Sequence, residues 1–160
     1  MTKQEFGRHI HDCEKTMYAL AYGIVKNPED AADVVQDAIL KAYTSLDSLR
    51  NPIVFKPWIM RIVHNTAIGF LRSRRETEDL EQQYDLSAPE VDRETKMTVW
   101  EAVNGMKLPY RLVLILFYYE GCSVSQIASM TATPEPAVRQ QLSRGRRILA
   151  KLLNKEDFLS

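Results

Sequence analysis

Apolar side chains recur at three- and four-residue steps over most of the chain. Phe6, Ile10, Cys13, Met17, Leu20, Ala21 and Ile24 form the first such stripe, the pattern of an amphipathic helix. Asn27-Pro28 interrupts it. Asn27 suits a helix cap, Pro28 a first turn, and Glu29 and Asp30 the positive end of a helix dipole. A second helix is expected through Ala31, Val34, Ala38 and Ala42. Residues 46–57 hold two prolines and an asparagine and read as a loop. Residues 58–72 read as a third helix, with Trp58, Ile62, Thr66 or Ala67, and Phe70 or Leu71 facing inward. Residues 97–103 and 111–119 are periodic again, and Gly121 suits a C-terminal stop. Strand-like alternation is absent. The expected fold is all-α, in two bundles.

The segment after Gly121 carries the most information. Residues 125–130 form a short apolar-faced helix with Ser123 as its cap. A tight turn, Thr131-Ala132, follows. Thr133, Pro134 and Glu135 then suit the start of another helix. This is helix-turn-helix spacing. Val138, Leu142 and Leu149 keep the second helix on its bundle, leaving Arg139, Gln140, Ser143, Arg144 and Arg146 on other faces. Arg pairs bidentately with guanine O6 and N7, and Gln with adenine N6 and N7, in the DNA major groove. Arg146, Arg147 and Lys151 suit phosphate contacts. A plain solvated basic helix is the competing reading, weakened by the capped helix that precedes it.

Charge divides the chain. The sums cancel, with 21 Lys+Arg against 21 Asp+Glu, which excludes a uniformly basic nucleic-acid coat. Yet the charges over residues 61–75 are all positive, those over 76–94 almost all negative, and those over 139–151 all positive. The pattern is that of two cationic surfaces joined by an anionic connector. Residues 76–92, with Ser87-Ala-Pro89 and little apolar material, read as a flexible acidic linker. The expected division is residues 1–75, linker 76–92, and residues 93–160. The two cysteines, Cys13 and Cys122, have no metal-like spacing and suggest a reduced, cytoplasmic setting. No apolar run reaches membrane-spanning length, and the N-terminus has no signal-peptide pattern.

In the first half, Asp33, Gln36 and Asp37 share one helix face by their i, i+3, i+4 spacing. They form either an acceptor patch for a cationic partner or an ordinary solvated face. Trp58 through Arg75 mixes aromatics with Arg, Asn and His, the composition that single-stranded DNA requires. Trp58 and Phe70 are better read as core, whereas Arg61 and Asn65, one turn apart, are expected outside. No nucleophile triad, paired-carboxylate, phosphate-loop or zinc pattern appears, so neither an enzyme, a cofactor nor a small-molecule substrate is expected.

These residues resemble the extracytoplasmic-function (ECF) group of bacterial sigma factors, the sigma-70 family's group 4. NPEDAADVVQD (residues 27–37), LDSL (46–49) and FKPWIMRIVHNTA (55–67) resemble region 2; YEGCSVSQIA (119–128) and TPEPAVR (133–139) resemble region 4. The resemblance implies a promoter-specificity subunit of RNA polymerase. It assigns Asp33, Gln36 and Asp37 to the β′ clamp of the core enzyme. It assigns Leu49, Arg50, Asn51, Phe55, Arg61 and Asn65 to melting and reading of the −10 element. Arg139, Gln140, Ser143, Arg144 and Arg146 fall to the −35 element. It further implies contact with the β flap and control by an anti-sigma factor, of a kind often anchored in the membrane. Departures stand out: Phe117 where many members have Arg, Pro136-Ala137 where Gly-Thr is usual, and Gly145 in mid-helix. Two other readings stay open on sequence alone, a stand-alone helix-turn-helix regulator and a protein-binding helical adaptor.

Overall fold

The computed structural model describes residues 1–81 and 97–153, side chains of residues 76–81 excepted. Every regular element among them is helical. Helix α1 spans Lys3–Val25 and opens on a capping box, Thr2 with Glu5. Phe6, Ile10, Cys13, Met17, Leu20, Ala21 and Ile24 are all buried, as the periodicity predicts. Helix α2, Pro28–Thr44, is capped by Asn27, whose Oδ1 accepts from the Asp30 N–H at 3.0 Å. Two short 3₁₀ turns, Leu46–Ser48 and Pro52–Val54, lead into α3, Phe55–Glu81.

Helix α3 departs from expectation in three ways. It begins at Phe55, so Pro57 lies in its first turn, where no backbone N–H is needed, and not in a loop. Its buried face is Phe55, Ile59, Met60, Val63, Thr66 and Ala67; Thr66 and Ala67 are inward as expected, whereas Trp58, Ile62, Phe70 and Leu71 are only partly buried at the core's edge. Helix α3 packs against α1, α2 and a later helix, which turns its buried stripe slightly from the expected one while Arg61, Asn65 and Gly69 stay exposed. It also runs to Glu81, past the boundary expected at residue 75, so the first six residues of the expected linker continue a helix. The rest of that linker, from residue 82, lies outside the described residues.

Among the described residues, the second half holds four α-helices and a π-helical stretch. Helix α4, Val99–Asn104, is capped by Thr98 with Glu101 in a second capping box. Helix α5, Tyr110–Leu114, passes into a π-helical stretch, Ile115–Tyr119. Gly121 stops it at φ +67°, a left-handed conformation that costs glycine nothing. Helix α6, Val124–Thr131, starts on a third capping box, Ser123 with Gln126. Helix α7, Glu135–Leu153, follows a turn in which Ala132 takes φ 53°. Thr133 does not cap α7: its hydroxyl donates to the Thr131 carbonyl and accepts from the Thr131 hydroxyl. Gly145 sits on the buried side of α7, where a Cβ would meet Leu114 Cδ1 at 3.3 Å.

The two halves do not stand apart. One contiguous apolar core takes in Met17, Leu20, Ile59 and Val63 from the first and Leu112, Leu116, Ile127 and Val138 from the second. Each such side chain, fully buried, contributes on the order of 1.5–3 kcal/mol. Helix α3 lies against α6, and α1 against α5 and the π-helical stretch.

Candidate nucleic-acid and polymerase interfaces

Asp33, Gln36 and Asp37 project from the exposed side of α2, opposite buried Val34, Val35 and Ala38. Asp37 pairs with Lys41 at 3.2 Å, both well exposed. Such an i, i+4 pair is worth only about 0.3–0.5 kcal/mol, so the carboxylate remains available to a partner. An open cleft of about 480 Å³ separates this face from α3, with Asp33, Asp37 and Lys41 on one wall and Asn65, Gly69 and Ser73 on the other. The structure thus brings Asn65, expected to meet DNA, beside the two carboxylates expected to meet polymerase.

The loop between α2 and α3 is held from inside. Asn51 Oδ1 accepts from the Ile53 N–H at 3.1 Å, and Trp58 Nε1 donates to Ser48 Oγ at 3.3 Å. Arg50 and Asn51 are exposed and Leu49 is half-buried. Phe55 is a correction. At 2% exposure it stacks on His9 at 4.8 Å and packs edge-on to Phe6 at 6.0 Å, so it is core and not part of a DNA-facing surface here. Sequence reasoning overlooked Ile53, which stands 87% exposed at the loop tip next to half-exposed Val54. An apolar pair inside a proline-bearing loop was the signal.

Arg61 and Asn65 are both exposed, as expected. Arg61 is nevertheless engaged: its Nε and Nη2 donate to the Ser129 carbonyl of α6 at 3.0 and 2.8 Å. Between them, His64 is half-buried. Burial, chiefly, holds its imidazole below the ordinary 6.5; contact with Asn65 opposes this and the Arg61 charge adds to it.

On α7, Gln140, Ser143, Arg144 and Arg147 are exposed. Arg139 is exposed too and lies 3.7 Å from Glu135 one turn back. Arg146 differs from its neighbours. It is half-buried, its Nε donates to the Tyr118 hydroxyl at 2.6 Å, and its guanidinium lies 5.7 Å from the ring centres of Phe117 and Tyr118. Phe117, where a cation is common in the resembled family, thus serves as a platform for one. The exposed residues of the set expected to meet the −35 element are therefore Arg139, Gln140, Ser143 and Arg144, with Arg146 as a braced cation at their edge. Among the described residues no His, Cys, Asp and Glu cluster can hold a metal ion. Cys13 and Cys122 are free and buried, and burial raises both thiols above their ordinary value.

A three-helix head packed on a helix-turn-helix half defines an all-α, two-region DNA-reading protein. Comparison with known proteins sharpens this class. The sigma-70 region 2 family matches residues 10–77 and the sigma-70 region 4 family matches residues 96–149. The chain is 32% identical over 151 residues to RNA polymerase sigma factor SigV of Bacillus subtilis, covering 93% of this chain and 91% of that one. It is 30% identical over 152 residues to ECF RNA polymerase sigma factor SigM of Mycobacterium tuberculosis, covering 94% and 76%. Among solved structures, the sigma factor RpoE in complex with the anti-sigma factor NepR from Bartonella quintana superposes with a TM-score of 0.76 at 23% identity, over 96% of this chain and 99% of that one. CnrH in complex with the cytosolic domain of CnrY superposes at 0.66 and 22%, over 98% and 92%. At those identities the two structures speak for the fold alone. The chain belongs to the ECF group of sigma-70 family RNA polymerase sigma factors. It is a promoter-specificity factor for transcription initiation and not a stand-alone regulator.

Proposed function

We propose the following division of labour among its surfaces. The Asp33/Gln36/Asp37 face of α2 grips the β′ clamp of core RNA polymerase, where carboxylates meet basic side chains. Residues 49–51, with Arg61 and Asn65, open the −10 element and hold an unstacked base, a step costing a few kcal/mol of stacking. The α7 face of Arg139, Gln140, Ser143 and Arg144 reads the −35 duplex, with Arg146 and Arg147 steadying the backbone. Residues 1–75 and 93–160 act as two units tied by the acidic segment 76–92, and the second unit also meets the β flap. The factor does no covalent chemistry itself. It works beside polymerase in the cytoplasm, and an anti-sigma factor restrains it. Among the described residues, no helix of its own is long and apolar enough to cross a membrane.

The observation that carries this reading is the exposed arginine- and glutamine-bearing face of α7, following a fully capped α6, within a chain matched by both sigma regions. The test is two-armed. Asp37→Arg should abolish co-purification with core enzyme while the free protein keeps its helicity. Arg61→Ala with Asn65→Ala should keep co-purification but lose permanganate-reactive thymines at the −10 element. Unchanged behaviour in either arm removes that surface from the assignment.

A further inference from the structure

The arginines of this chain divide by what their N–H groups meet. A guanidinium is all donors and no acceptor, so a buried one normally has its nitrogens engaged. Arg111, only 8% exposed, follows that rule. Its Nε donates to the Gly23 carbonyl at 2.8 Å, its Nη2 to Ile24 at 3.0 Å and its Nη1 to Met106 at 2.8 Å. Arg61 directs Nε and Nη2 at the Ser129 carbonyl, and Arg139 has Glu135 beside it. Arg146 breaks the pattern. It is half-buried, yet among the described residues its one hydrogen bond runs from Nε to the Tyr118 hydroxyl, and no carboxylate pairs with it. Its terminal nitrogens, Nη1 and Nη2, have no acceptor there.

What holds this side chain is an aromatic corner. The Arg146 Cζ lies 5.7 Å from the ring centres of both Phe117 and Tyr118, within cation–π reach. Those two rings meet edge to face at 5.0 Å and 76°. Both belong to the π-helical stretch Ile115–Tyr119, an irregularity found most often at functional sites. Behind the corner lies a cavity of about 140 Å³, walled by Val99, Val103, Leu114 and Leu149 as well as the tyrosines and Arg146. The aliphatic stem of Arg146 thus runs along apolar surface, which supplies nothing for Nη1 and Nη2 to bind. Tyr118 is 54% exposed, so the pair stands open to the outside.

A phosphate matches what is left over. Arginine recognises phosphate oxygens through N–H donors held in a planar fork. With Nε on Tyr118, Nη1 and Nη2 are the open prongs. The Tyr118 hydroxyl accepts from Nε and keeps its own O–H to donate, and a hydroxyl polarised by a cation is the stronger donor. Arg146 also follows Ser143 and Arg144 directly along α7, at the edge of the proposed reading face. We propose that Tyr118 and Arg146 form a clamp for one backbone phosphate beside the −35 element, with Tyr118 as the residue that positions the guanidinium. This rests on the division of labour above, in which Arg146 steadies the DNA backbone. The clamp is set before DNA arrives. The rotamer freedom that a solvated arginine gives up on binding is already gone, which favours the bound state roughly 2- to 12-fold.

A double-mutant cycle tests it. Holoenzymes carrying full-length wild type, Tyr118→Phe, Arg146→Gln or both are titrated with promoter duplex over a range of salt concentrations. Tyr118→Phe keeps both rings and the cavity wall and removes only the hydroxyl. It should weaken binding roughly 2- to 12-fold, equally for every −35 sequence, while the melting temperature of the free protein barely moves. Arg146→Gln should reduce the salt slope by about one. In the Arg146→Gln background most of the Tyr118→Phe effect should vanish, because no guanidinium is left to aim. Arg146→Lys keeps the charge without the fork, so it should keep the slope and lose the coupling; it carries the cycle if Arg146→Gln folds poorly. A Tyr118→Phe protein that binds like wild type, or two losses that simply add, would overturn the clamp and leave Arg146 as a plain phosphate contact. An unchanged slope in Arg146→Gln would overturn the clamp and the backbone role of Arg146 together.

Discussion

Replacing Arg144 with alanine separates base reading from general attraction to DNA. Arg144 is exposed on α7 and, among the described residues, makes no hydrogen bond or ion pair, unlike Arg139 beside Glu135 and Arg146 on Tyr118. Removing it takes nothing from the fold, so thermal stability should shift by no more than about 0.5 kcal/mol. A bidentate contact to a base edge is worth about 1–3 kcal/mol of discrimination, or roughly 5- to 150-fold in the binding constant. The assay is holoenzyme binding to promoter duplexes at fixed salt, by fluorescence anisotropy, with each −35 position varied in turn. The expected result is a loss confined to the natural −35 sequence, so that one base substitution costs wild type and costs the variant nothing. A uniform loss over all sequences, with the salt slope reduced by about one, would identify a phosphate contact instead. No loss at all would remove Arg144 from the reading set.

Other expectations follow from the same geometry. Phe55→Ala should destabilise the free protein by about 3–5 kcal/mol in urea unfolding, as a core aromatic does; a change below about 0.5 kcal/mol would return Phe55 to the DNA face. Gly145→Val should lower stability through crowding at Leu114 rather than by altering promoter choice, read by comparing melting temperature with −35 selectivity. His64 introduces a pH dependence. Burial keeps its folded value below the ordinary 6.5, so below pH 6.5 the unfolded chain takes up a proton that the folded one resists. Stability should therefore fall on acidification from 6.5 down to the depressed value and be flat above it. His64→Gln should remove that slope in urea melts taken across the range.

The helices were legible because their causes are local. The α1 stripe, the Asn27 cap and the Ser123 cap before α6 depend on neighbours within four residues, and each forms as the pattern requires. The buried stripe of α3 was placed one step off because helices from both halves of the chain pack against it, which only tertiary structure shows. Phe55 was misplaced for a related reason: its partners His9 and Phe6 lie 46 and 49 residues away, on α1. Among the candidate site residues, spacing was enough to foresee exposure on the α2 face and over most of α7, because exposure follows from helical phase. It failed for Arg146, whose partner Tyr118 is 28 residues back. Arg111 had no warning beyond a cation opening an apolar run, and its acceptors are 87 and 88 residues distant. Gly145, a departure in the reading helix, lies on the packed side of α7, where an added Cβ would sit tightly against Leu114.

Run-off transcription with purified core RNA polymerase and genomic promoter fragments tests the central claim most directly. With this protein added, core enzyme should yield discrete transcripts whose start sites share a −35 and a −10 sequence, and Asp37→Arg should abolish them. Absence of any factor-dependent transcript, with the protein folded and the core active on a control factor, would contradict the account.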